Sequence, residues 1–517
     1  MIHDASSGVG DAAEHHWLRG LSLVTALLPL VAAAMGFYRS ANLEVSIDEF
    51  ATAMFSSRTF GDLWASLAHV DAIVGPYYGV IHLLAPPLSY GPWIRWPSVI
   101  ASAGTVALVG FLARRWWGPV SAVIAATFVT INPLVIYMSS MARPYAMAML
   151  FVTLALLCVE IASSRTGKGF WVLYAFSASA AVLMHPFSLL AVATTSILAL
   201  GRSRRAFVSW AVATIASLVS LLPILAVAYR QRGQVSWIAH LSPREALATL
   251  ASVVAMQVDG TNNLVDYVAL AIIGLFAVAA PLALAVRAWR RGDHDSARKV
   301  GTALVLFVGP WLALYSISLV ATPILNFKYL TWSAIGAPLL MGYSFESLLK
   351  KGIILKSAAL TVIVCLLAYY AVPAYGLLTQ RTLIPDFGSA AARIRQSSHP
   401  GDLLVVAQPY DSGGLAYGIA YDLGDEQYAA EVLGRLPSGR QPILEVRVIL
   451  SVEPFRSTPL QTPLTQPAVA WFFPFAEVPR SFATGTSNTE LACTATEGSV
   501  SQLSPDDSLL LRGLCVP

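Results

Sequence analysis

The sequence predicts an all-α polytopic membrane protein with a small α/β domain at its C-terminus. Hydrophobic residues make up 56% of the 517 residues and charged residues only 12%, and the mean hydropathy is +0.64. No soluble globular class has this composition. Apolar runs of the length that crosses a bilayer, about twenty residues, recur as far as residue 374. Beyond that point the chain becomes richer in Pro, Ser, Thr and acidic residues.

About eleven apolar runs are predicted to span the membrane. They lie at residues 20–37, 97–113, 119–138, 145–162, 169–185, 187–201, 206–229, 264–287, 300–320, 328–347 and 354–374. The first run follows the polar residues 1–19 without a convincing cleavage site, so we expect an uncleaved span. The break at His185-Pro186 leaves two alternatives, a pair of helices or one kinked helix.

The distribution of basic residues predicts the orientation of the chain. Arg and Lys concentrate in alternate loops, at residues 114–115, 165–168, 201–205, 287–299 and 350–356. The positive-inside rule places these loops in the cytoplasm. The predicted organisation is therefore a cytoplasmic N-terminus (1–19), a transmembrane domain (20–374) in the cell membrane, and an extracytoplasmic C-terminal domain (375–517).

The first outer loop, residues 38–96, is long and partly apolar. Phe60–Leu67 and Tyr77–Leu84 are apolar or amphipathic but too short to span a bilayer. They are predicted to be helices that lie in the membrane interface. Proline and glycine residues separate them from the second span.

The C-terminal domain is predicted to contain a helix at Asp386–Gln396. Strands are predicted at Leu403–Ala407, Ile443–Val452 and Ala468–Phe473. Cys493 and Cys515 would form a disulfide if this domain is extracytoplasmic, and would otherwise stay as thiols. No catalytic motif is recognisable in this part of the sequence.

The adjacent acids Asp48 and Glu49 follow the outer end of the first span. Carboxylates are costly within a bilayer, so an acid pair where a span meets water is a candidate for chemistry. A general base needs a free carboxylate within hydrogen-bond reach of a hydroxyl. The alternative is that both acids only stabilise a helix start, where negative charge is favourable.

Further candidate residues lie in the loops that are predicted to face outward. His69 and Asp71, with Tyr77 nearby in sequence, are candidates to orient a ligand, although a single interfacial histidine is more commonly structural. Arg143 either binds a phosphate through two hydrogen bonds from its guanidinium or extends from a helix end toward water. Lys328 lies on the side where the positive-inside rule disfavours basic residues, which makes it a candidate anion ligand.

Together, these acids and bases indicate a substrate whose phosphate leaving group needs stabilisation. The sequence has neither a Walker A motif nor a dinucleotide fingerprint, so no nucleotide cofactor is expected. A site on the outer face has no access to cytosolic nucleotide sugars, which favours a lipid-phosphate donor. Nucleic acid is not an expected partner.

The ordered set of motifs resembles the GT-C membrane glycosyltransferases, and most closely the family-39-like branch of actinobacterial type. That branch is related to the protein O-mannosyltransferases and the lipid A aminoarabinose transferases. The resemblance covers roughly residues 20–350. It is carried by Asp48-Glu49, His69-Val70-Asp71, Tyr77-Tyr78, Arg95-Trp96-Pro97-Ser98, Ala142-Arg143-Pro144-Tyr145 and Lys328-Tyr329-Leu330.

The resemblance implies an inverting transfer of a sugar from a polyprenyl-phosphate donor to an acceptor hydroxyl on the outer face. Asp48 would be the catalytic base, and Arg143 and Lys328 would lie near the donor phosphate. The other implied substrate-binding residues are Glu49, His69, Asp71, Tyr77, Tyr145 and Tyr329. The acceptor would be a glycan, a lipid or a protein of the cell envelope, and membrane lipids are the other expected partners. Mannose and arabinose are both reasonable sugars.

Two departures from the family pattern concern metal and phosphate binding. Some relatives have an acid in the second outer loop that helps to hold a divalent cation, but Ser139–Arg143 contains none. The sequence therefore predicts no metal ligands, although a divalent cation stays open. Lys328 stands where arginine is usual, which removes a bidentate phosphate contact.

Two other functions stay open. One is a multi-span transporter or flippase for a lipid-linked or anionic substrate, and the other is a GT-C protein that has lost its activity. Transporters keep ionisable groups near the bilayer midplane, whereas Glu160, Asp266 and Glu346 fall near the ends of predicted spans. The missing acid of the second outer loop supports the inactive alternative.

Overall fold

The computed structural model describes most of the chain up to residue 381 and three strands beyond it. The described residues are 5–68, 71–84, 92–164, 169–235, 238–256, 264–381, 403–408, 445–450 and 470–473. Among the predicted features, His69, the helix Asp386–Gln396 and the cysteines Cys493 and Cys515 lie outside these residues.

The described part of the chain is dominated by helices. In chain order they are α1 (Ala5–Asn42), α2 (Ile47–Ser56), α3 (Phe60–Leu67), α4 (Gly75–Leu84), α5 (Trp96–Trp116), α6 (Pro119–Thr130), α7 (Pro133–Ser139), α8 (Tyr145–Ser164), α9 (Gly169–Met184), α10 (Ser188–Leu200), α11 (Arg204–Arg230), α12 (Pro243–Ala255), α13 (Leu264–Gly274), α14 (Ala280–Arg290), α15 (His294–Val320), α16 (Gly336–Leu349) and α17 (Ile353–Thr379). The contacts divide the chain into two compact units. The first, the membrane unit, comprises Met1–Asn42, Phe60–Ala85 and Trp93–Gln380; the second comprises Leu43–Thr59, Pro86–Pro92 and Arg381–Pro517.

Six helical segments within the described residues are long and apolar enough to cross a membrane, and two bent helix pairs raise this number to eight. The chain is therefore a multi-pass membrane protein, as its composition predicts. The predicted number of eleven spans stays a prediction, because α9 and α10 contain only 16 and 13 residues. The predicted interfacial helices correspond to α3 and α4.

Several predicted spans differ from single regular helices, among them the run 264–287, in which a π-helical segment joins α13 and α14. The run 119–138 forms α6 and α7, which are bent by 60° at their junction, where Asn132 caps α7. The run 328–347 begins as a 3-10 helix, Phe327–Ile335, and continues as α16. At His185-Pro186 the chain forms two helices, since α9 ends at Met184 and α10 begins at Ser188.

Helices α5 and α8 form the interior of the membrane unit. They pack against each other, and α5 also contacts α1 and α6 while α8 contacts α9 and α10. In their most apolar stretches, 61% and 67% of the residues are buried, compared with 11% for α1 and 17% for α17. The first and last helices therefore present most of their apolar surface outward, as expected for helices that face lipid.

Arg39, near the end of α1, is fully buried and joins three segments of the membrane unit. Its Nε donates to the backbone oxygen of Leu377 at 2.9 Å, and its two terminal nitrogens donate to Ser140 Oγ and, at 2.9 Å, to Gln380 Oε1. The guanidinium also lies 5.6 Å from the centre of the Tyr137 ring. These contacts fix the end of α1 against the ends of α7 and α17.

The second unit contains α2 and a three-stranded parallel sheet. The strands are β1 (Leu403–Gln408), β2 (Glu445–Leu450) and β3 (Ala470–Phe473), in the spatial order β2-β1-β3. All three lie within a few residues of their predicted positions. The α/β domain as a whole stays a prediction, because within residues 375–517 the structure describes only the end of α17 with the two residues that follow it, and the three strands.

We expect Arg39→Lys to lower the free energy of unfolding by roughly 1–3 kcal/mol, because one ammonium group replaces a planar fork that serves three acceptors. Thermal unfolding in detergent measures the change. The matched control is Arg202→Lys, since Arg202 is 41% exposed and pairs with Asp295 at 3.1 Å. The control is expected to shift stability by no more than about 0.5 kcal/mol. Equal melting temperatures for the two variants would contradict the role given to Arg39.

Candidate active site

The two adjacent acids occupy different environments at the start of α2. Glu49 is fully buried, and its Oε2 accepts a hydrogen bond from the backbone nitrogen of Ser46 at 2.9 Å. This is the return contact of a capping box, in which a carboxylate satisfies a backbone donor at a helix start. Asp48 is half-buried and takes no part in this contact. Only the Asp48 side chain therefore lies outside the helix cap.

Asp71 organises the turn that leads into α4. Its φ of 55° lies in the left-handed region, which aspartate tolerates better than most residues. Its backbone oxygen accepts from the backbone nitrogens of Val74 and Gly75 at 2.9 and 3.0 Å. This conformation leaves the side chain to accept a hydrogen bond at 2.9 Å from the hydroxyl of Tyr78, one turn along α4.

Gln231, which follows α11, holds the same turn from outside. Its Oε1 accepts from the backbone nitrogen of Ala72 at 2.8 Å, and its Nε2 donates to the backbone oxygen of Leu67 at 2.9 Å. A single amide therefore satisfies one backbone group at the end of α3 and one within the connection that leads to α4. This contact ties the connection between α3 and α4 to the end of α11, within the membrane unit.

Arg143 lies beside Tyr78 and completes a polar chain with Asp71. Its Nη1 is 3.4 Å from the Tyr78 hydroxyl, and its backbone oxygen accepts from Ser98 Oγ at 3.3 Å. Ser98 Oγ is also 3.4 Å from the Tyr77 hydroxyl. The structure thus brings together Asp71, Tyr77 and Arg143, which the sequence places in separate motifs.

The hydroxyl of Tyr78 is kept protonated by its surroundings. Helix α4 is not among the candidate spans, and Tyr78 is fully buried within the protein. Burial, reinforced by the negative charge of Asp71, raises the pKa of Tyr78 well above its usual value. Tyr78 can therefore donate to Asp71 throughout the physiological pH range.

A ring cluster lies at the break between α9 and α10. His185 is 4% exposed, and its ring centre is 4.8 Å from that of Tyr329 and 5.3 Å from that of Trp332. The rings of Tyr145 and Phe187 lie 5.4 and 5.5 Å away. We call these five side chains the His185 cluster. It joins the predicted residues Tyr145 and Tyr329 through a histidine that the site prediction does not include.

Lys328 is the second residue of the 3-10 helix that carries Tyr329 and Trp332. The side chain of Asn326 caps this helix by accepting from the Lys328 backbone nitrogen at 3.0 Å, and Thr331 Oγ1 donates to the Lys328 backbone oxygen at 2.7 Å. The side chain of Lys328 is half-buried. Its backbone is thus fixed at both hydrogen-bonding groups.

The structure adds His185 and Trp332 to the residues that the sequence singles out, and it gives contacts to Tyr78 and Ser98, which the sequence names only as parts of motifs. The sequence signal for His185 was that it interrupts an apolar run. Asp48 and Glu49 belong to the second unit and the remaining described candidates to the membrane unit, so each set is described within its own unit. Within the described residues, no group of three or more His, Cys, Asp or Glu side chains is arranged to hold a metal ion.

Among known proteins, this chain is similar to solved structures, and the similarity concerns the fold. No family model and no curated protein sequence matches the chain. The apo oligosaccharyltransferase of Archaeoglobus fulgidus superposes with a TM-score of 0.52 and 12% identity, over 78% of this chain and 64% of that chain. This chain thus spans less than two thirds of the oligosaccharyltransferase.

A second solved structure with the same fold is ArnT from Cupriavidus metallidurans in its apo state. It superposes with a TM-score of 0.50 and 14% identity, over 80% of this chain and 85% of that chain. At these identities the likeness is one of fold: this chain shares the membrane fold of the oligosaccharyltransferase and of ArnT.

Proposed function

We propose that this protein is a membrane glycosyltransferase that moves a sugar from a polyprenyl-phosphate donor to an acceptor hydroxyl on the outer face of the membrane. The observation that carries the proposal is the Arg143 guanidinium, bound beside Tyr78 and Asp71 in a chain with the GT-C fold. An arginine held by neighbouring side chains is well suited to bind a phosphate, because its planar donors match phosphate oxygens.

Lys328 is the second cation of the proposed donor site. Arg143 and Lys328 are both half-buried, so their charges are partly shielded from water yet accessible to a ligand. Charge that develops on a leaving phosphate is stabilised most strongly by groups already fixed in place. The backbone contacts of Arg143 to Ser98 and of Lys328 to Asn326 supply this fixation.

Asp48 is the proposed general base. In the reaction, its carboxylate takes the proton from the acceptor hydroxyl while the hydroxyl oxygen forms a bond to the anomeric carbon. The bond from that carbon to the donor phosphate oxygen breaks, and the polyprenyl phosphate leaves with the bonding electrons. A single displacement of this kind inverts the configuration at the anomeric carbon.

The remaining acids are assigned supporting roles. Glu49 caps α2 and so holds the turn that carries Asp48. Asp71 binds the Tyr78 hydroxyl, which in turn lies within 3.4 Å of Arg143. We assign Asp71 and Tyr78 to positioning Arg143, and the acceptor stays open between a glycan, a lipid and a protein.

A transport function has less support. The three acids within or beside the predicted spans each have a structural partner. Glu160 pairs with Arg115 at 3.7 Å, Asp266 accepts from Tyr369 at 3.2 Å, and Glu346 pairs with Lys350 at 2.7 Å. Acids held by fixed partners near helix ends are unlike the ion-path groups that transporters keep near the midplane.

Asp48→Asn is expected to lower sugar transfer about 10²- to 10⁴-fold, because the amide cannot accept the hydroxyl proton. The assay measures labelled mannose or arabinose moved from a polyprenyl-phosphate donor in membranes that contain the variant. Glu49→Ala serves as the contrast, because loss of the cap should cost about 0.5–2 kcal/mol of stability and lower the melting temperature. Full activity of Asp48→Asn would remove Asp48 as the base.

Tyr78→Phe is expected to lower kcat/KM for the lipid donor about two- to tenfold, because the hydroxyl that joins Asp71 to Arg143 is lost. Arg143→Ala should have a larger effect, since it removes a phosphate ligand. Tyr174→Phe is the matched control: Tyr174 is equally buried, and its hydroxyl is 2.8 Å from that of Thr214 in another part of the membrane unit. Equal losses for the two tyrosine variants would assign the effect to general packing.

A further inference from the structure

The His185 cluster contains buried polar atoms that the protein itself does not satisfy. His185 Nδ1 and Trp332 Nε1 have no hydrogen-bond partner among the described residues, and neither does Ser188 Oγ. Trp332 and Ser188 are fully buried. Ser188 adjoins the histidine, because its backbone nitrogen donates to the His185 backbone oxygen at 2.9 Å. Buried polar atoms without partners are uncommon in native proteins and call for an explanation.

The chemistry of these atoms restricts the ligand that would satisfy them. An indole nitrogen only donates, whereas a neutral imidazole and a hydroxyl can each donate or accept. Sugar hydroxyls also donate and accept, so they complement all three groups. A polyprenyl chain offers no partner for them, and a phosphate would find no charged side chain within the cluster.

The rings of the cluster provide the second feature of a sugar site. Tyr145, Phe187, Tyr329 and Trp332 all lie within 5.5 Å of His185, measured between ring centres. Aromatic residues with a polar edge offer an apolar face together with a hydrogen-bonding group. Phe187 is half-buried, whereas Trp332 is fully enclosed, so the Phe187 side is the accessible side of the cluster.

Two rings of the cluster lie close in sequence to the two cations of the proposed donor site. Tyr329 directly follows Lys328, and Tyr145 lies two residues beyond Arg143. The same two segments therefore contribute the cations of the proposed donor site and rings of the neutral cluster. A phosphate bound at the cations would place its attached sugar next to these rings.

We propose that the His185 cluster is the subsite for the sugar ring of the donor, with Trp332 Nε1, His185 Nδ1 and Ser188 Oγ as ligands of sugar hydroxyls. This inference rests on the proposed function, because it takes a lipid-linked sugar as the ligand. It predicts that the cluster recognises the sugar and contributes little to binding of the lipid phosphate.

The test compares purified wild type with Trp332→Phe and Ser188→Ala for binding to undecaprenyl phosphate and to its mannosyl and arabinosyl forms in nanodiscs. Wild type should bind one of the glycosylated lipids more tightly than the bare lipid. Each variant should weaken that binding about two- to tenfold, as loss of one hydrogen bond implies, and leave the bare-lipid affinity unchanged. Ser188→Ala changes the packing volume little, so it guards against misfolding of the tryptophan variant.

Trp311→Phe is the matched control. Trp311 Nε1 donates to the backbone oxygen of Ala246 at 2.7 Å, so this variant loses a satisfied hydrogen bond and should be less stable without any change in lipid selectivity. Loss of both affinities in equal measure, or of neither, in Trp332→Phe and Ser188→Ala would overturn the sugar subsite. So would a wild type that binds no glycosylated lipid more tightly than the bare lipid. A wild type that binds none of the three lipids would overturn the proposed function, and the subsite with it.

Discussion

The buried guanidinium of Arg39 is the interaction on which one end of the membrane unit depends. A charge in an apolar interior is tolerated only when hydrogen bonds surround it, and Arg39 finds its three acceptors on two other segments, at the ends of α7 and α17. One of them, Ser140, lies three residues before Arg143. Arg39 holds the end of α1 against the ends of α7 and α17. Through Ser140 it thus also helps to fix the backbone that carries Arg143, the proposed phosphate ligand.

Hydropathy predicted a helical membrane protein with many spans because the bilayer imposes a simple length rule on spanning helices. It did not predict the 60° bend between α6 and α7, nor the 3-10 start of the run at residue 328, because both depend on local capping by Asn132 and Asn326. The positions of β1, β2 and β3 could be predicted because their β-branched and aromatic residues stand out in a polar tail.

The candidate site could be predicted only in part. Asp71, Tyr77 and Arg143 stood out as polar residues in loops predicted to face outward, but the hydrogen bond from Tyr78 to Asp71 depends on the left-handed backbone of Asp71. The sequence paired Asp71 with His69 only as residues that would orient a ligand. His185 was visible only as a break in an apolar run, because its partners Tyr329 and Trp332 lie far along the chain.

The amide of Gln231 has a consequence for how this protein can vary. It bonds Leu67 at the end of α3 and Ala72 within the connection that leads to α4, so both contacts depend on where α11 places Gln231. One residue inserted within α11 would turn Gln231 by about 100° around the helix axis. A chimera that exchanges one of these two segments without the other would therefore keep both hydrogen bonds only if it also kept the position of Gln231, even though the segments lie more than 150 residues apart.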